Sequence, residues 1–174
     1  MLLDKLLRRK KLIPKTDKVK DSLWHRVKLR FVLNNGIRKG RSADEIAEKL
    51  ETVTKMDKNA AYRVARTACT NAENQGKLEA MYVLRDEFGV DCKKMWVATI
   101  DDRTRESHRQ LHGQIRELDE EFLKDLQYPA DPNGDPSEVW NCRCYLQEVI
   151  DESTVPQVDK EWRNAKPKRK NYPR

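Results

Sequence analysis

The sequence predicts an α+β fold, in which a helical N-terminal half is followed by a small α+β unit and both chain ends form basic arms. Apolar residues follow helical spacing up to about residue 88, and strand-like runs appear only after that point. Lys and Arg are concentrated at the two ends. We therefore expect four regions: a basic arm with an amphipathic helix (1–40), a helical region (41–90), an α+β unit (91–150) and a basic tail (151–174).

The composition indicates a modest core with charged extensions. Apolar and charged residues each make up 37% of the 174 residues, enough for one domain but low in apolar content. No segment has the apolar length of a membrane span, and the first residues lack the order of a secretory signal. We therefore expect a cytoplasmic site of synthesis, where cysteines are thiols or metal ligands (Cys69, Cys92, Cys142 and Cys144).

Charge is distributed unevenly along the chain. The net balance is +10 in residues 1–40, +6 in 160–174 and −9 in the stretch between them. Basic arms commonly bind nucleic-acid phosphates, whereas an acidic body disfavours general DNA binding. The alternative is that the arms only solubilise the protein. The DNA-binding hypothesis assigns the contacts to Lys5, Arg8, Arg9, Lys10, Lys11, Lys166, Lys168, Arg169 and Lys170.

The first predicted helix covers residues 20–33. Leu23, Val27 and Phe31 recur at helical spacing and predict its apolar face. The sequence Asn-Asn-Gly at 34–36 is typical of a helix end.

Two further helices follow. Ser42 and Glu45 have the spacing of a capping box, and the stripe that follows contains Ala43, Ile46, Leu50 and Val53. Residues 54–57 offer a second start signal, followed by a small-residue face (Ala61, Val64, Ala65, Ala68 and Ala72). We expect this third helix to break near Gly76 and to end before Gly89.

The pattern changes after residue 90. Residues 94–100 and 145–150 predict strands, and residues 114–127 are ambiguous. Asp101-Asp102 is expected to cap a short helix over 103–112, which Gly113 would close. Three prolines predict a loop over 128–136.

Several separated motifs occur in this second half. They are DDRTRESH at 101–108, Gly113, PADP at 129–132 and NCRC at 141–144, preceded by a Trp-containing strand. This order resembles the Mu F-like phage head-morphogenesis family over roughly residues 40–150, although His112 stands where that pattern usually has Asn or Asp.

The resemblance implies a phage minor head protein that acts in head morphogenesis near the portal vertex. Its implied partners are the portal protein and capsid components, with DNA contacted during packaging or ejection. The implied location is the virion, after assembly in the host cytoplasm.

The motif residues are expected to form one structural cluster (Asp101, Arg103, Arg105, His108, Asn141, Cys142, Arg143 and Cys144). On a strand, Cys142 and Cys144 would lie on one face. On a helix, His108 and His112 would lie one turn apart, so the four side chains could bind zinc tetrahedrally. The alternative is that His108 is a hydrogen-bonded structural histidine and the cysteines are core residues.

An enzymatic alternative uses the same segment. Asp101, Arg103 and His108 are suited to acid–base chemistry in a nuclease-like or transferase-like effector delivered with the DNA. No activated nucleophile or phosphate-binding loop accompanies them. We therefore expect a structural role, in which an Arg–carboxylate pair holds the loop against the last strand.

Overall fold

The computed structural model describes residues 23–151 and residue 153. The basic residues assigned to DNA binding lie outside this range. Three helices come first, and short helices then alternate with strands. The elements are α1 (Leu23–Arg38), α2 (Ala43–Thr54), α3 (Lys58–Phe88), β1 (Cys92–Val97), α4 (Glu106–Leu111), β2 (Ile115–Arg116), α5 (Pro136–Val139) and β3 (Tyr145–Ile150).

The strands form one antiparallel sheet in the order β2-β1-β3. In its register Trp96 pairs with Leu146 on one side of β1, and Lys94 pairs with Arg116 on the other. The α+β class is confirmed, and β3 has the bounds that the sequence predicted. Strand β1 begins and ends earlier than predicted, because residues 98–100 leave the sheet for the loop that contains Asp101.

The starts of α2 and α3 follow the predicted caps. The Ser42 hydroxyl accepts a hydrogen bond from the Glu45 N–H, and the Glu45 carboxylate accepts one from the Ser42 N–H. Asp57 caps α3 by accepting from the N–H groups of Asn59 and Ala60. These signals are local in sequence, which is why the sequence identifies them.

The helical half has its own apolar core. The small-residue face of α3, including Val64 and Ala65, packs against Ile46 and Leu50 of α2 and against Leu33 of α1. Small side chains allow this close approach of helices. A second core lies between the C-terminal half of α3 and the sheet, with Trp96 and Leu146 fully buried in it.

The predicted apolar face of α1 was wrong. Val27 is 56% exposed and Phe31 is 69% exposed, whereas Leu29 and Leu33 are buried. The helix also continues through Asn34-Asn35-Gly36 to Arg38. Gly36 does not end α1 but allows α2 to approach, because a Cβ at this position would lie 2.5 Å from Ile46 Cγ1.

The predicted break in α3 was also wrong. The helix is continuous from Lys58 to Phe88 and ends at Gly89, which has φ +66°. Gly76 lies on the exposed side of the helix, where a Cβ would have no neighbouring atom within 4 Å. Packing along the whole helix therefore outweighs the weak helix propensity of one glycine.

The segments between the strands differ from expectation in two places. Helix α4 begins at Glu106 after Arg105, so neither Asp101 nor Asp102 caps it. The ambiguous stretch 114–127 contains β2 and an isolated bridge between Leu123 and Leu126. The proline-rich stretch is a loop up to the start of α5, but much of it is buried.

Within the described part of the chain, the helices lack the combination of length and apolar character that crossing a membrane requires.

Candidate functional site

The DDRTRESH and NCRC motifs meet just beyond the point where β1 ends and β3 begins. The Arg143 guanidinium donates two hydrogen bonds to the Asp101 carboxylate, from Nη1 to Oδ2 at 2.5 Å and from Nη2 to Oδ1 at 2.6 Å. These hydrogen bonds lower the pKa of Asp101 and raise the pKa of Arg143. Asp101 and Arg143 therefore form an Arg–carboxylate pair between the loop after β1 and the segment before β3.

Asp101 organises a tight turn rather than a helix start. Its Oδ1 accepts a hydrogen bond from the Arg103 N–H at 2.9 Å and lies 3.0 Å from the Thr104 hydroxyl. Arg109 reaches back from α4 and donates to the carbonyls of Asp101 and Thr104. Asp101 therefore does not cap α4 as the sequence predicted. Its carboxylate instead accepts hydrogen bonds within the turn and from Arg143.

His108 lies against the two motif cysteines. Its Nδ1 is 3.3 Å from Cys144 Sγ and 3.8 Å from Cys142 Sγ. The three side chains are buried, with His108 2% exposed. The Trp96 ring packs edge-on against the imidazole at a centroid distance of 5.2 Å. The structure thus brings His108 and both cysteines together in a buried cluster.

The cysteines occupy a turn and not a strand. Residues 141–144 precede β3, and Asn141 adopts a left-handed φ of 55°. Its N–H donates to the Thr67 hydroxyl at 3.2 Å, which attaches this turn to α3. The two sulfurs still point to the same side, toward His108, but the strand geometry expected for them was wrong.

The two thiols differ in acidity. A hydrogen bond between them lowers the pKa of Cys144 and raises the pKa of Cys142, and the contact with His108 lowers the pKa of Cys144 further. Cys144 is therefore the more acidic of the two thiols. A buried thiolate is suited to binding a cation.

His112 does not join this group. Helix α4 ends at Leu111, and His112 adopts a non-helical conformation with φ −56° and ψ 125°. Its side chain is exposed, and its Nδ1 accepts a hydrogen bond from the Ala98 N–H at 3.2 Å. The predicted four-ligand set was therefore wrong at His112, because the one-turn spacing requires a helix that has already ended.

Arginines surround a shallow depression beside the Asp101–Arg143 pair. Its volume is about 320 Å³, and its lining consists of Arg66, Arg103, Arg105, Asn141 and Arg143. Arg105 donates to the Trp140 carbonyl, and Arg66 stacks over the Tyr62 ring. Asp101 pairs with Arg143 and lies near Arg103, so it neutralises part of this positive charge.

The residues of the enzymatic alternative do not form one open site. His108 is buried, with its Nδ1 on the thiols and its Nε2 3.0 Å from Glu138 Oε2. Asp101 is held by Arg143, and Arg103 extends into solvent with a side chain that is 78% exposed. A substrate in solvent therefore reaches Arg103 but not His108 in this structure.

Sequence reasoning missed the polar residues of α3 that hold the site. Asn74 is fully buried and contacts the carbonyls of Pro129 and Cys144 and the N–H of Leu146. Asn71 donates to the Ala130 carbonyl. Two asparagines on an otherwise small apolar helix face were a usable signal, because buried amides require partners.

The chain resembles known proteins in sequence. The chain is 33% identical over 144 residues to a protein named NAD(+)--arginine ADP-ribosyltransferase EFV from Enterococcus faecalis, which covers 82% of this chain and 29% of that protein. It is 28% identical over 131 residues to Minor head protein GP7 of Bacillus phage SPP1, covering 74% of this chain and 42% of that protein. The chain thus spans less than half the length of these relatives. No solved structure matches it.

The model of the family described as Phage Mu protein F like protein matches residues 27–147, which include all three long helices nearly complete, the sheet and both motifs. The match extends over more than half of the chain and ends within β3. The chain belongs to the Phage Mu protein F like family.

Proposed function

We propose that this protein is a phage minor head protein that acts in head morphogenesis near the portal vertex. The observation that carries the proposal is the family match over residues 27–147, together with the similarity to a protein named as the minor head protein of phage SPP1. The location that follows is the virion, after assembly in the host cytoplasm. The partners that follow are the portal protein and capsid components.

The site geometry supports a structural role. The motif residues are used for internal contacts: Asp101 with Arg143, and His108 with Cys142 and Cys144. Such contacts fix the loop after β1 and helix α4 to the segment before β3, and leave no arrangement of nucleophile and base open to solvent among the described residues of this cluster.

The portal contact can be tested through α1. Phe31 is 69% exposed, on the helix that directly follows the basic arm. We expect Phe31→Glu to reduce recovery of the portal protein with a tagged full-length chain when the two are produced together. Phe88→Glu is the matched control, because Phe88 is 57% exposed on α3. Equal recovery of the portal protein with both variants and the wild type, or no recovery with any, would contradict the portal contact.

DNA contact is assigned to the basic arms. Their charges, +10 and +6, flank a middle stretch of −9. Binding of labelled duplex DNA to the full chain should weaken steeply with salt, because phosphate contacts release counterions. Deleting 1–19 and 160–174 should abolish this binding. Salt-sensitive binding that persists after both arms are deleted would contradict this assignment and would place the DNA contact on residues 20–159. The arginine-lined depression would then be the first region to mutate.

The second function, a nuclease-like or transferase-like effector, rests on the similarity to the protein named as an ADP-ribosyltransferase. That similarity covers only 29% of the relative, so the activity in its name is a property of the relative. We expect no turnover when the purified chain is incubated with labelled RNA, DNA or a nicotinamide dinucleotide. Cleavage or transfer that is lost in a folded His108→Ala variant would favour the effector over the structural protein.

A further inference from the structure

The side chains of His108, Cys142 and Cys144 form a group with the donors of a metal site. One imidazole nitrogen and two sulfurs lie within 4.8 Å of one another, and all three residues are buried. Nitrogen and thiolate sulfur are the donors that zinc prefers in proteins. From this geometry we propose that His108 Nδ1, Cys142 Sγ and Cys144 Sγ bind one zinc ion that stabilises the fold.

The separations fit a tetrahedral zinc centre. Zn–S bonds of roughly 2.3 Å and Zn–N bonds of roughly 2.0 Å place nitrogen and sulfur about 3.5 Å apart across a tetrahedral angle. The two observed separations from Nδ1 are 3.3 Å to Cys144 Sγ and 3.8 Å to Cys142 Sγ. Both nitrogen–sulfur separations therefore lie within a few tenths of an ångström of this value, and the two sulfurs lie within 4.8 Å of each other.

Glu138 lies where a carboxylate often supports a zinc-bound histidine. Its Oε2 lies 3.0 Å from the other ring nitrogen of His108, although not aligned as a hydrogen bond, and accepts a hydrogen bond from the Ser107 hydroxyl at 2.8 Å. Zinc-bound histidines commonly direct the second ring N–H to a carboxylate, which fixes the tautomer and the ring orientation. A small rotation of the imidazole onto zinc would bring Nε2–H into line with Glu138.

Other uses of two adjacent buried cysteines fit less well. A disulfide between residues two apart in sequence is strained. Two free thiols would leave two sulfurs and an imidazole nitrogen buried within 4.8 Å of one another without a shared bound ion. Zinc satisfies both sulfurs and the imidazole at once.

The site needs one more ligand. Among the described residues, no fourth histidine, cysteine or carboxylate joins the group. We assign the fourth position to an ordered water, as in zinc sites that have three protein ligands. The role remains structural, because His108 is 2% exposed and a substrate cannot reach the ion from solvent.

The test is metal content and its effect on stability. Full-length protein purified from zinc-supplemented cells should contain about one zinc ion per chain by mass spectrometry of the metal. Cys142→Ser and Cys144→Ser should lose the metal, whereas Cys69→Ser should keep it, because Cys69 is on α3 outside this group. A strong chelator should lower the Tm of the wild type and of Cys69→Ser.

A second measurement does not depend on the folding of any variant. Wild-type protein stripped of metal should bind about one Co²⁺ per chain and show the intense visible absorption of tetrahedral cobalt together with thiolate charge-transfer bands. Titration with Zn²⁺ should remove these bands. Wild-type protein that takes up neither metal, or retention of full zinc by Cys144→Ser, would overturn the proposal. Neither outcome depends on the proposed role in the phage head.

Discussion

The carboxylate of Asp101 and the guanidinium of Arg143 form two parallel hydrogen bonds across 42 residues of sequence, at 2.5 and 2.6 Å. They join the loop that follows β1 to the segment that precedes β3. Val97 and Tyr145 form the last pair of the β1–β3 ladder, so the ion pair closes the sheet at this end. It also holds the turn that presents Cys142 and Cys144 to His108.

Replacing Asp101 by Asn should lower the Tm and reduce the loss of stability in acid. The pKa of Asp101 is held below its ordinary value of 3.8, chiefly by its hydrogen bonds with Arg143. The stability that this carboxylate contributes is therefore present above about pH 4 and is lost as the pH falls toward the folded-state pKa. Thermal melts near pH 7 and pH 3 measure both effects.

Asp102→Asn is the matched control, because Asp102 is adjacent and exposed. It should change neither the Tm at neutral pH nor the acid sensitivity by a comparable amount. If Asp101→Asn and Asp102→Asn behave alike, the ion pair does not stabilise this end of the sheet.

Lys94 should make the fold more stable as the pH rises above 8. Burial lowers its pKa from 10.5 to about 8, although Nζ donates a hydrogen bond to the Leu118 carbonyl at 2.8 Å. Between these two values the unfolded chain binds more protons at this residue than the folded chain does, so the contribution of Lys94 to the free energy of unfolding increases with pH.

Comparison with Lys94→Met isolates this effect. Urea unfolding near pH 7 and about pH 9.5 gives the free energy of unfolding of both proteins. The free energy of unfolding of the wild type should increase relative to that of the variant at the higher pH. Cysteines and tyrosines titrate in both proteins, so their contributions cancel in this comparison. A difference independent of pH would mean that Lys94 keeps an ordinary pKa in the folded protein.

Two glycines in long helices should respond oppositely to alanine. At Gly36 a Cβ would lie 2.5 Å from Cγ1 and 2.8 Å from Cδ1 of Ile46, a side chain that is 1% exposed. Gly36→Ala should therefore separate α1 from α2 and lower the free energy of unfolding by about 1–3 kcal/mol. At Gly76 nothing lies within 4 Å, and Gly76→Ala should raise it by roughly 0.5–1 kcal/mol. Chemical denaturation measures both changes, and equal signs would contradict the close approach at Gly36.

The sequence predicts elements whose signals are local. The capping box of Ser42 and Glu45 and the strand 145–150 are specified by neighbouring residues, and both are present as predicted. The face of α1 was not predictable in this way. Val27 and Phe31 lie on one stripe of α1 and Leu29, Val32 and Leu33 on another, and packing against α2 and α3 decides which stripe is buried.

The candidate site was predictable to the same extent. The two motifs identified His108 and both cysteines, but helix geometry alone also included His112, which lies beyond the end of α4. Glu138 and Asn74 were missed, because their roles depend on contacts with residues 30 or more positions away in the sequence. Spacing reports on neighbours along the chain and gives no information about such pairs.

Asn74 connects the two halves of the fold, and its removal should be the most disruptive of these changes. Its Nδ2 lies 3.2 Å from the carbonyl oxygens of both Pro129 and Cys144, and its Oδ1 accepts a hydrogen bond from the Leu146 N–H at 2.7 Å. All of these groups are buried around a side chain with 0% exposure. Asn74→Ala should lower the free energy of unfolding by on the order of 3 kcal/mol, because several backbone groups lose their partner without gaining access to water.

Two variants make this expectation specific to the amide. Asn74→Asp keeps an acceptor for Leu146 but places a carboxylate against the carbonyls of Pro129 and Cys144, so it should be at least as destabilising as alanine. Glu73→Ala, one position away and exposed, removes only a surface ion pair with Lys77 and should change the stability by less than about 0.5 kcal/mol. Urea unfolding of the three variants ranks them directly. If Asn74→Asp were as stable as the wild type, the amide would not hold the proline-rich loop and the cysteine turn against α3.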